Sequence, residues 1–474
     1  MDGANRIVSA SPRLAAAATT ADRPPTLDDR ALFGHPRGLG LLFATEMWER
    51  FSYYGMRALL ILYLVNALGW STARAANLYG TYTGLVYFTP LIGGWLADRF
   101  IGTRRSLVLG GITIALGHFA LAVPGMTMFY IGLALVVIGT GFFKPNVSTM
   151  VGQIYREGDA RRDAGFTIFY MGINTGAFLG PIVCGYLAQT PGYGWHWGFG
   201  AAGVGMVLGL LLYVGLRERY LPGVGIGRPG GAGHATGAHA HAPAHTPDAG
   251  HAKTTSHGKD DAKRVLALLI VAVFVVCFWA GYDQAGSSMN LFADKHTRLA
   301  LGSFQLRSSW LQSVPPMFVL LFAPVFAALW GVLRRRGLEP STPRKMAFGL
   351  LLLGAGFAVL AVGARRADAG VLVSPLWLVG AYLLHVWGEL CLSPVGLSYV
   401  TKVAPVRFAS LLMGVWFVAN GVADKIGGMV AALMDRIPSL ASFFTIFLVS
   451  SCVAGVVMLL LVPLLRKLTQ GAAE

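Results

Sequence analysis

The sequence predicts an all-α integral membrane protein whose twelve transmembrane helices form two six-helix halves. Three observations carry this prediction. Of 474 residues, 55% are hydrophobic and only 13% are charged, against roughly 25% charged in a typical soluble chain. So few charges cannot cover a soluble surface of this size. Apolar stretches of about 20 residues, the length a helix needs to cross the hydrocarbon core, recur twelve times. Basic residues also alternate between connections. Of 38 Lys and Arg, 27 fall in the tails and alternate loops, 7 in the opposite loops and 4 inside apolar segments. That asymmetry is the positive-inside bias of a multi-pass membrane protein.

The first six spans are placed near 38–66, 75–97, 105–123, 127–151, 165–189 and 197–217. The second six lie near 265–293, 305–333, 345–364, 373–401, 408–432 and 440–465. An even number of spans with basic even-numbered connections puts both ends of the chain in the cytoplasm. Arg365 and Arg366 fall in a predicted outer loop and oppose the bias. Residues 1–36 are polar, lack the apolar core of a cleavable signal peptide and are expected to form a disordered cytoplasmic tail. Residues 37–218 then make one bundle, 265–466 the other, and 467–474 a second cytoplasmic tail. Between the bundles, 219–264 is rich in Gly, Ala, Pro and His with no apolar period, and is expected to be a disordered linker. It leaves no room for an extra helix pair.

The halves carry a weak repeat. "GGWLADRFIGTRRSLVLGG" (93–111) joins the second and third spans, and "LWGVLRRRGLEPSTPRKMAFGL" (329–350) joins the eighth and ninth. Two six-helix halves with a basic loop at the same place suggest the major facilitator architecture, which binds substrate near the midplane between its halves and rocks to alternate access. The net charge of +16 does not point to nucleic acid, because its distribution follows membrane topology; an anionic leaflet is the expected partner. Cys184, Cys277, Cys391 and Cys452 lie in apolar runs without metal or disulfide spacing, and are expected to be small buried hydrophobes.

Ionisable groups inside spanning helices are costly and mark pathways or proton relays. The first span holds Glu46, Glu49, Arg50, Tyr53 and Arg57 within a stripe roughly 100° wide. Glu46 and Arg50, at i and i+4, can pair directly. Two acids and two arginines exceed what a single static helix-packing pair would need. With a rise of 1.5 Å per residue, Glu49 and Arg50 sit ~17 Å from the inner end of their helix, level with Lys144 on the fourth span. Arg57 at ~28 Å and Asp283 at ~27 Å are level with one another on different halves, so that a pair between them would latch the outer side. Glu389 is the midplane acid of the second half.

These residues stand inside strings that resemble one family. "EMWERFSYYGMR" (46–57), "GTGFFKPNVSTMVG" (139–152), "FYMGINTGAFLGP" (169–181), "FWAGYDQAGSSMNLFA" (278–293) and "GELCLSPVGLSYVTKVAP" (388–405) are similar, in order, to helix motifs of the proton-dependent oligopeptide transporters. The resemblance implies proton-coupled import of di- and tripeptides by a bacterial inner-membrane protein, expected to be a monomer. No cofactor or metal is expected; the coupling ion is the proton. It further implies that Glu46, Glu49, Arg50, Lys144 and Asp283 couple protons, with Lys144 pairing to the first-helix motif. Arg50 and Lys144 would hold the peptide carboxylate and Glu389 its amino group. Tyr53, Tyr54, Tyr87, Asn174 and Trp416 match pocket positions, and Arg57 with Asp283 matches the outer gate. A di- or tripeptide spans about 7–11 Å, and a site reading only its two charged ends would accept many side chains.

Two departures stand out. "QSVPP" (312–316) puts Pro315 where the family usually has Asn, and the paired prolines are expected to bend the eighth helix there. Gly80 stands where animal members have a histidine. The linker histidines at 234, 239, 241, 245, 251 and 257, together with His385 and Glu389 at i and i+4, would suit a metal-ion transporter. The intramembrane Arg and Lys would repel such a cargo. No nucleophile–base pair supports an enzyme. A transporter of another small zwitterion or anion, such as an amino-acid conjugate or nitrate, is the nearer alternative.

Overall fold

The computed structural model describes residues 29–156, 158–226, 258–405 and 408–469. Twelve long helices are present among them. In the first half these are α1 (Arg37–Leu62), α2 (Thr72–Leu96), α3 (Thr103–Ala122), α4 (Met126–Gln153), α5 (Arg161–Gln189) and α6 (Trp195–Tyr220). In the second they are α7 (Gly258–Tyr282), α8 (Val314–Arg335), α9 (Thr342–Asp368), α10 (Leu376–Val403), α11 (Ala409–Ala431) and α12 (Leu440–Thr469). A 3₁₀ turn, Asp283–Gly286, and a short helix, Ser288–His296, continue the line of α7. Two short strands, β1 (Ala300–Leu301) and β2 (Phe304–Gln305), form an antiparallel hairpin before α8. Nine of the twelve spans are long and apolar enough to cross a membrane by length and composition. The other three, α1, α2 and α11, include the helices that carry Glu46, Glu49, Arg50, Arg57 and Asp424.

Local chemistry sets the helix ends. The Ser71 hydroxyl accepts the Arg74 N–H and caps α2. Gly69 and Gly102 stop the preceding segments with φ of 64° and 85°, a region L side chains avoid. Arg217 and Arg219 close α6, and Arg334 and Arg335 close α8, where cations offset the negative end of the helix dipole.

Within the first half α1 packs on α5 and α6, α3 on α4 and α6, and α2 on α4; in the second, α9 packs on α10 and α12, and α7 on α11 and α12. The halves meet through α2 against α11 and α5 against α8. Small residues make the first of these contacts close. A Cβ on Gly80 would lie 2.7 Å from the Asp424 carbonyl oxygen, and one on Gly84 2.8 Å from that of Gly421. Such backbone approach is how membrane helices pack without a hydrophobic drive between them. Apolar side chains such as Leu460, Leu211 and Val273 point outward, as lipid contact requires.

Several expectations change. Residues 29–36 are an ordered turn: Leu32 bridges His35, Asp29 pairs with Arg37 at 3.0 Å, and Arg161 bonds the Gly34 carbonyl. Here Asp29 lies below the usual carboxylate range: burial opposes this, but donors from the Arg37 and Ala31 backbone and the Arg37 side chain outweigh it. Helix α7 begins at Gly258, seven residues before the expected start of the second bundle at 265, because Asp260 and Asp261 favour a helix N-terminus. Residues 227–257 of the expected linker and residues 1–28 lie outside the described residues. Pro315 and Pro316 occupy the first turn of α8, following a 3₁₀ segment Ser308–Ser313. No backbone bond is lost there, so the prolines start the helix instead of bending it. Arg365 and Arg366 belong to the last turn of α9, where they face the helix dipole. Cys184 and Cys391 are buried, whereas Cys277 is exposed on the outward face of α7, where an apolar side chain meets lipid.

Candidate functional site

Helix α1 presents its charged stripe inward as its period dictates. Arg50 Nε lies 3.0 Å from Glu46 Oε1 and also bonds Glu49 Oε2. All three residues are 2% exposed or less. Glu46 Oε2, Glu49 Oε1 and Arg50 Nη2 have no hydrogen-bond partner among the described residues. Unspent donors and acceptors at this depth are costly unless something else uses them. Lys144 is the expectation that changes. Its ammonium stands 4.6 Å from the centroid of the Tyr87 ring and, among the described residues, makes no ion pair. The Arg50 fork, at i+4 and i+1 to the two acids, takes them first. Lys144 still feels both glutamates and Arg50 electrostatically. With each group in its usual charge state the quartet of Glu46, Glu49, Arg50 and Lys144 sums to zero.

Two turns along α1, Arg57 crosses to the other half. Its Nη2 lies 2.7 Å from Asp283 Oδ1, and its Nε donates to the Tyr79 hydroxyl at 2.7 Å. The depth arithmetic anticipated the first contact; Tyr79 was missed. Further cross-half bonds lie at the same end. Asn66 donates to Asp294 at 2.7 Å, Asn290 to the Ala58 carbonyl at 2.9 Å, and Trp310 to the Ile182 carbonyl at 2.9 Å. Gln189 reaches Ser308 and Ser309. This end, remote from Arg37 at the start of α1 and Thr469 at the end of α12, is where these bonds join the halves.

Between the halves lies a cavity. Among the residues named from sequence, Tyr54, Tyr87, Asn174, Glu389 and Trp416 line it, as do Arg57 and Asp283. Glu46, Glu49, Arg50, Tyr53 and Lys144 are not in its wall. Tyr53 is buried beside them, with the Arg50 guanidinium 5.5 Å from its ring centroid. The wall also contains Tyr170, Tyr282, Gln312, Pro315 and Asn420. Glu389, 8% exposed, accepts a hydrogen bond from the Tyr282 hydroxyl, and Tyr170 stands beside it on the same wall. Among the described residues it has no ion-pair partner. Asn174 and Asn420 each spend one N–H on a carbonyl four residues back, at 3.0 and 2.8 Å. Their remaining donor and acceptor capacity is free for the cavity. His385 turns away from Glu389, its ring 4.6 Å from that of Phe357.

Asp424 was not singled out from sequence. It is 4% exposed on α11, the helix that packs on α2 and α7. The signal was available: a lone acid in an apolar helix is costly enough to imply a role.

Comparison with known proteins converges on one group. A sequence model of the POT family matches residues 104–221 and 244–466. The chain is 42% identical over 485 residues to the uncharacterized transporter YclF of Bacillus subtilis, covering 94% of this chain and 97% of that protein. It is 38% identical over 501 residues to the peptide transporter YePEPT of Yersinia enterocolitica, covering 93% and 97%. The crystal structure of a POT peptide transporter in complex with sulfate superposes with a TM-score of 0.84 at 36% identity, covering 96% of this chain and 99% of that one.

Proposed function

The chain belongs to the POT family, and from that premise we propose that it is a proton-coupled symporter of di- and tripeptides in a bacterial inner membrane, with both termini cytoplasmic. The observation that carries this reading is Glu389. It is a buried carboxylate on the cavity wall, held by the Tyr282 phenol and, among the described residues, lacking a cation. A peptide ammonium supplies the missing charge. The α1 quartet supplies the complementary end: Arg50 Nη2 is unspent, and protonating Glu46 or Glu49 loosens Arg50 toward a substrate carboxylate. The seal at the end of α1 that carries Arg57 and Asn66, with the Arg57–Asp283 pair across it, supports a carrier closed to the outside. Nitrate or another simple anion would leave Glu389 without a counter-charge, so a zwitterion is favoured.

A thermal-shift screen of purified protein tests the substrate class. Dialanine and trialanine are expected to raise Tm. Dialanine blocked at both ends, nitrate and free alanine are expected to have no effect. Stabilisation by nitrate alone would overturn the peptide reading.

A further inference from the structure

We propose that Asp294 is a positioning residue at the head of a second, outer tier of the closure between the halves, and that its bond to Asn66 breaks each time the carrier opens to the outside. This rests on the alternating-access reading above and adds a tier to the Arg57–Asp283 pair.

Asp294 lies in the short helix Ser288–His296, on the line of α7. At helical rise it stands roughly 16 Å beyond Asp283, and Asn66 stands roughly 14 Å beyond Arg57. The spacing between tiers is thus nearly equal on the two halves, and the second pair meets as the first does. The last turn of α1 is a π-helix, Tyr63–Ala67, closed by the Leu68 N–H on the Tyr63 carbonyl at 3.1 Å. Such turns recur at functional sites. Within this one, Asn66 Nδ2 donates to Asp294 Oδ2 at 2.7 Å.

The bond heads a chain. The other carboxylate oxygen of Asp294 accepts from Ser308 Oγ at 2.7 Å. Ser308 accepts in turn from Gln189 Nε2 at 2.8 Å. Gln189 Oε1 accepts from Ser309 Oγ at 2.6 Å and from the Ser309 N–H at 3.3 Å. The chain passes between the halves twice, from Asn66 to Asp294 and from the serines to Gln189 on α5. Its direction is set at one point. A carboxylate offers only acceptors, whereas hydroxyls and amides offer both kinds of group. With Asp294 at the head, the Ser308 proton points to it, Ser308 can only accept from Gln189, and the Gln189 oxygen is left for Ser309. Gly185 makes room for the last link, since a Cβ there would lie 2.1 Å from Ser309 Oγ.

This tier suits a contact remade in every cycle. Asn66 is exposed and Asp294 partly buried. Parting them exchanges one hydrogen bond for bonds to water, at a net cost far below its gross strength. The Arg57–Asp283 pair is deeper, and separating buried opposite charges costs more. Halves that rock about the midplane separate most at their ends, so the outer tier parts first and the charged pair follows.

The test uses three variants: Asn66→Ala, Asp294→Asn, and the swap Asn66→Asp with Asp294→Asn. The swap keeps both side-chain lengths. Its amide at 294 donates to the carboxylate at 66 and still accepts from Ser308. Each is made with Ala177→Cys on the cavity wall and the four native cysteines changed to Ala, and labelled in cells with a membrane-impermeant maleimide. Labelling of either single variant is expected to be about tenfold faster than in the native background, the worth of one hydrogen bond to a charged group near water. The swap is expected to return to within about threefold of that background. KM and kcat for external dialanine are expected to fall together in the single variants, because more carriers face outward and fewer close behind their substrate. A merely structural loss would lower the amount of active carrier and leave KM unmoved. Native labelling in either single variant, or a swap no slower than its parents, would overturn the proposal. Asn66 is exposed, so Asn66→Ala decides the matter should Asp294→Asn not fold. Failure of the native protein to import dialanine would instead defeat the peptide reading; the labelling comparison needs no substrate and would still decide the outer tier.

Discussion

Substituting Glu389 by Gln isolates the charge that the cavity presents to a peptide amino group. The replacement keeps the shape and an oxygen that can accept from Tyr282, so the wall is preserved and only the charge is lost. Glu389 is 8% exposed and held by the Tyr282 hydroxyl, with no cation paired to it among the described residues. An ammonium bound there gains a partner in a largely dehydrated setting, and losing such a partner costs about 3–5 kcal/mol. At 1.4 kcal/mol per tenfold, that is roughly a 100- to 3,000-fold loss of affinity. Tyr282 still donates to the neutral amide, which favours the lower bound, about 100-fold. The assay is competition against a labelled peptide by dialanine and by N-acetyl-dialanine. The dialanine curve is expected to shift by about two decades, while the acetylated peptide, which has no ammonium, does not shift. Thermal stability is expected not to fall, because an uncompensated buried carboxylate has been removed. Dialanine competition unchanged in a variant of native Tm would refute the reasoning.

Other perturbations probe separate parts of the account. Gly80→Ala places a Cβ 2.7 Å from both the Asp424 carbonyl oxygen and Gly428 Cα, so α2 and α11 must part. About 1–3 kcal/mol of destabilisation is expected, read as a lower Tm, with faster labelling of a cysteine placed at Asn66 on the sealed end. Pro315→Asn adds an amide to the cavity wall at a first-turn position that tolerates it. Dialanine affinity is expected to rise by the worth of one hydrogen bond, about 0.5–1.5 kcal/mol, and an unchanged competition curve would show that this position does not limit recognition. Outside the membrane, Glu339 is held down at about 2, first by the Arg334 hydrogen bond and then by Lys345. Its folded value lies below its unfolded value near 4.3, so the stability it gives is complete above that value and fades as pH falls through about 2. The Tm difference between native protein and Glu339→Gln is therefore expected to be constant above pH ~5 and to close on acidification; a difference that persists at pH ~2 would contradict this.

The parts legible in sequence were those set by period and rise. The stripe on α1 gave the Glu46–Arg50 pair, and counting residues along α1 and α7 gave the Arg57–Asp283 contact between halves. What did not follow was the choice among competing partners in three dimensions. Depth alone put Lys144 level with the acids, but it could not show that the Arg50 fork would take both and leave Lys144 against Tyr87. Tyr170 and Tyr282 could not be told from the chain's other tyrosines, because their role comes from meeting Glu389 across α5, α7 and α10. Pro315 was misread because the end of the 3₁₀ segment, and hence the start of α8, depends on how Ser308–Ser313 packs against α5. Asp424 was visible as an intramembrane acid, and only the packing of α2 and α7 on α11 shows that it faces the seam between the halves and is buried there.

The most direct test is accumulation of labelled dialanine in vesicles holding the purified protein, under an inward proton gradient at zero membrane potential. The account expects uptake above the equilibrium level, collapse to that level on adding a protonophore, and no accumulation by Glu49→Gln, which cannot take up and release a proton beside Arg50. Equal uptake with and without the gradient, or native accumulation by Glu49→Gln, would contradict it.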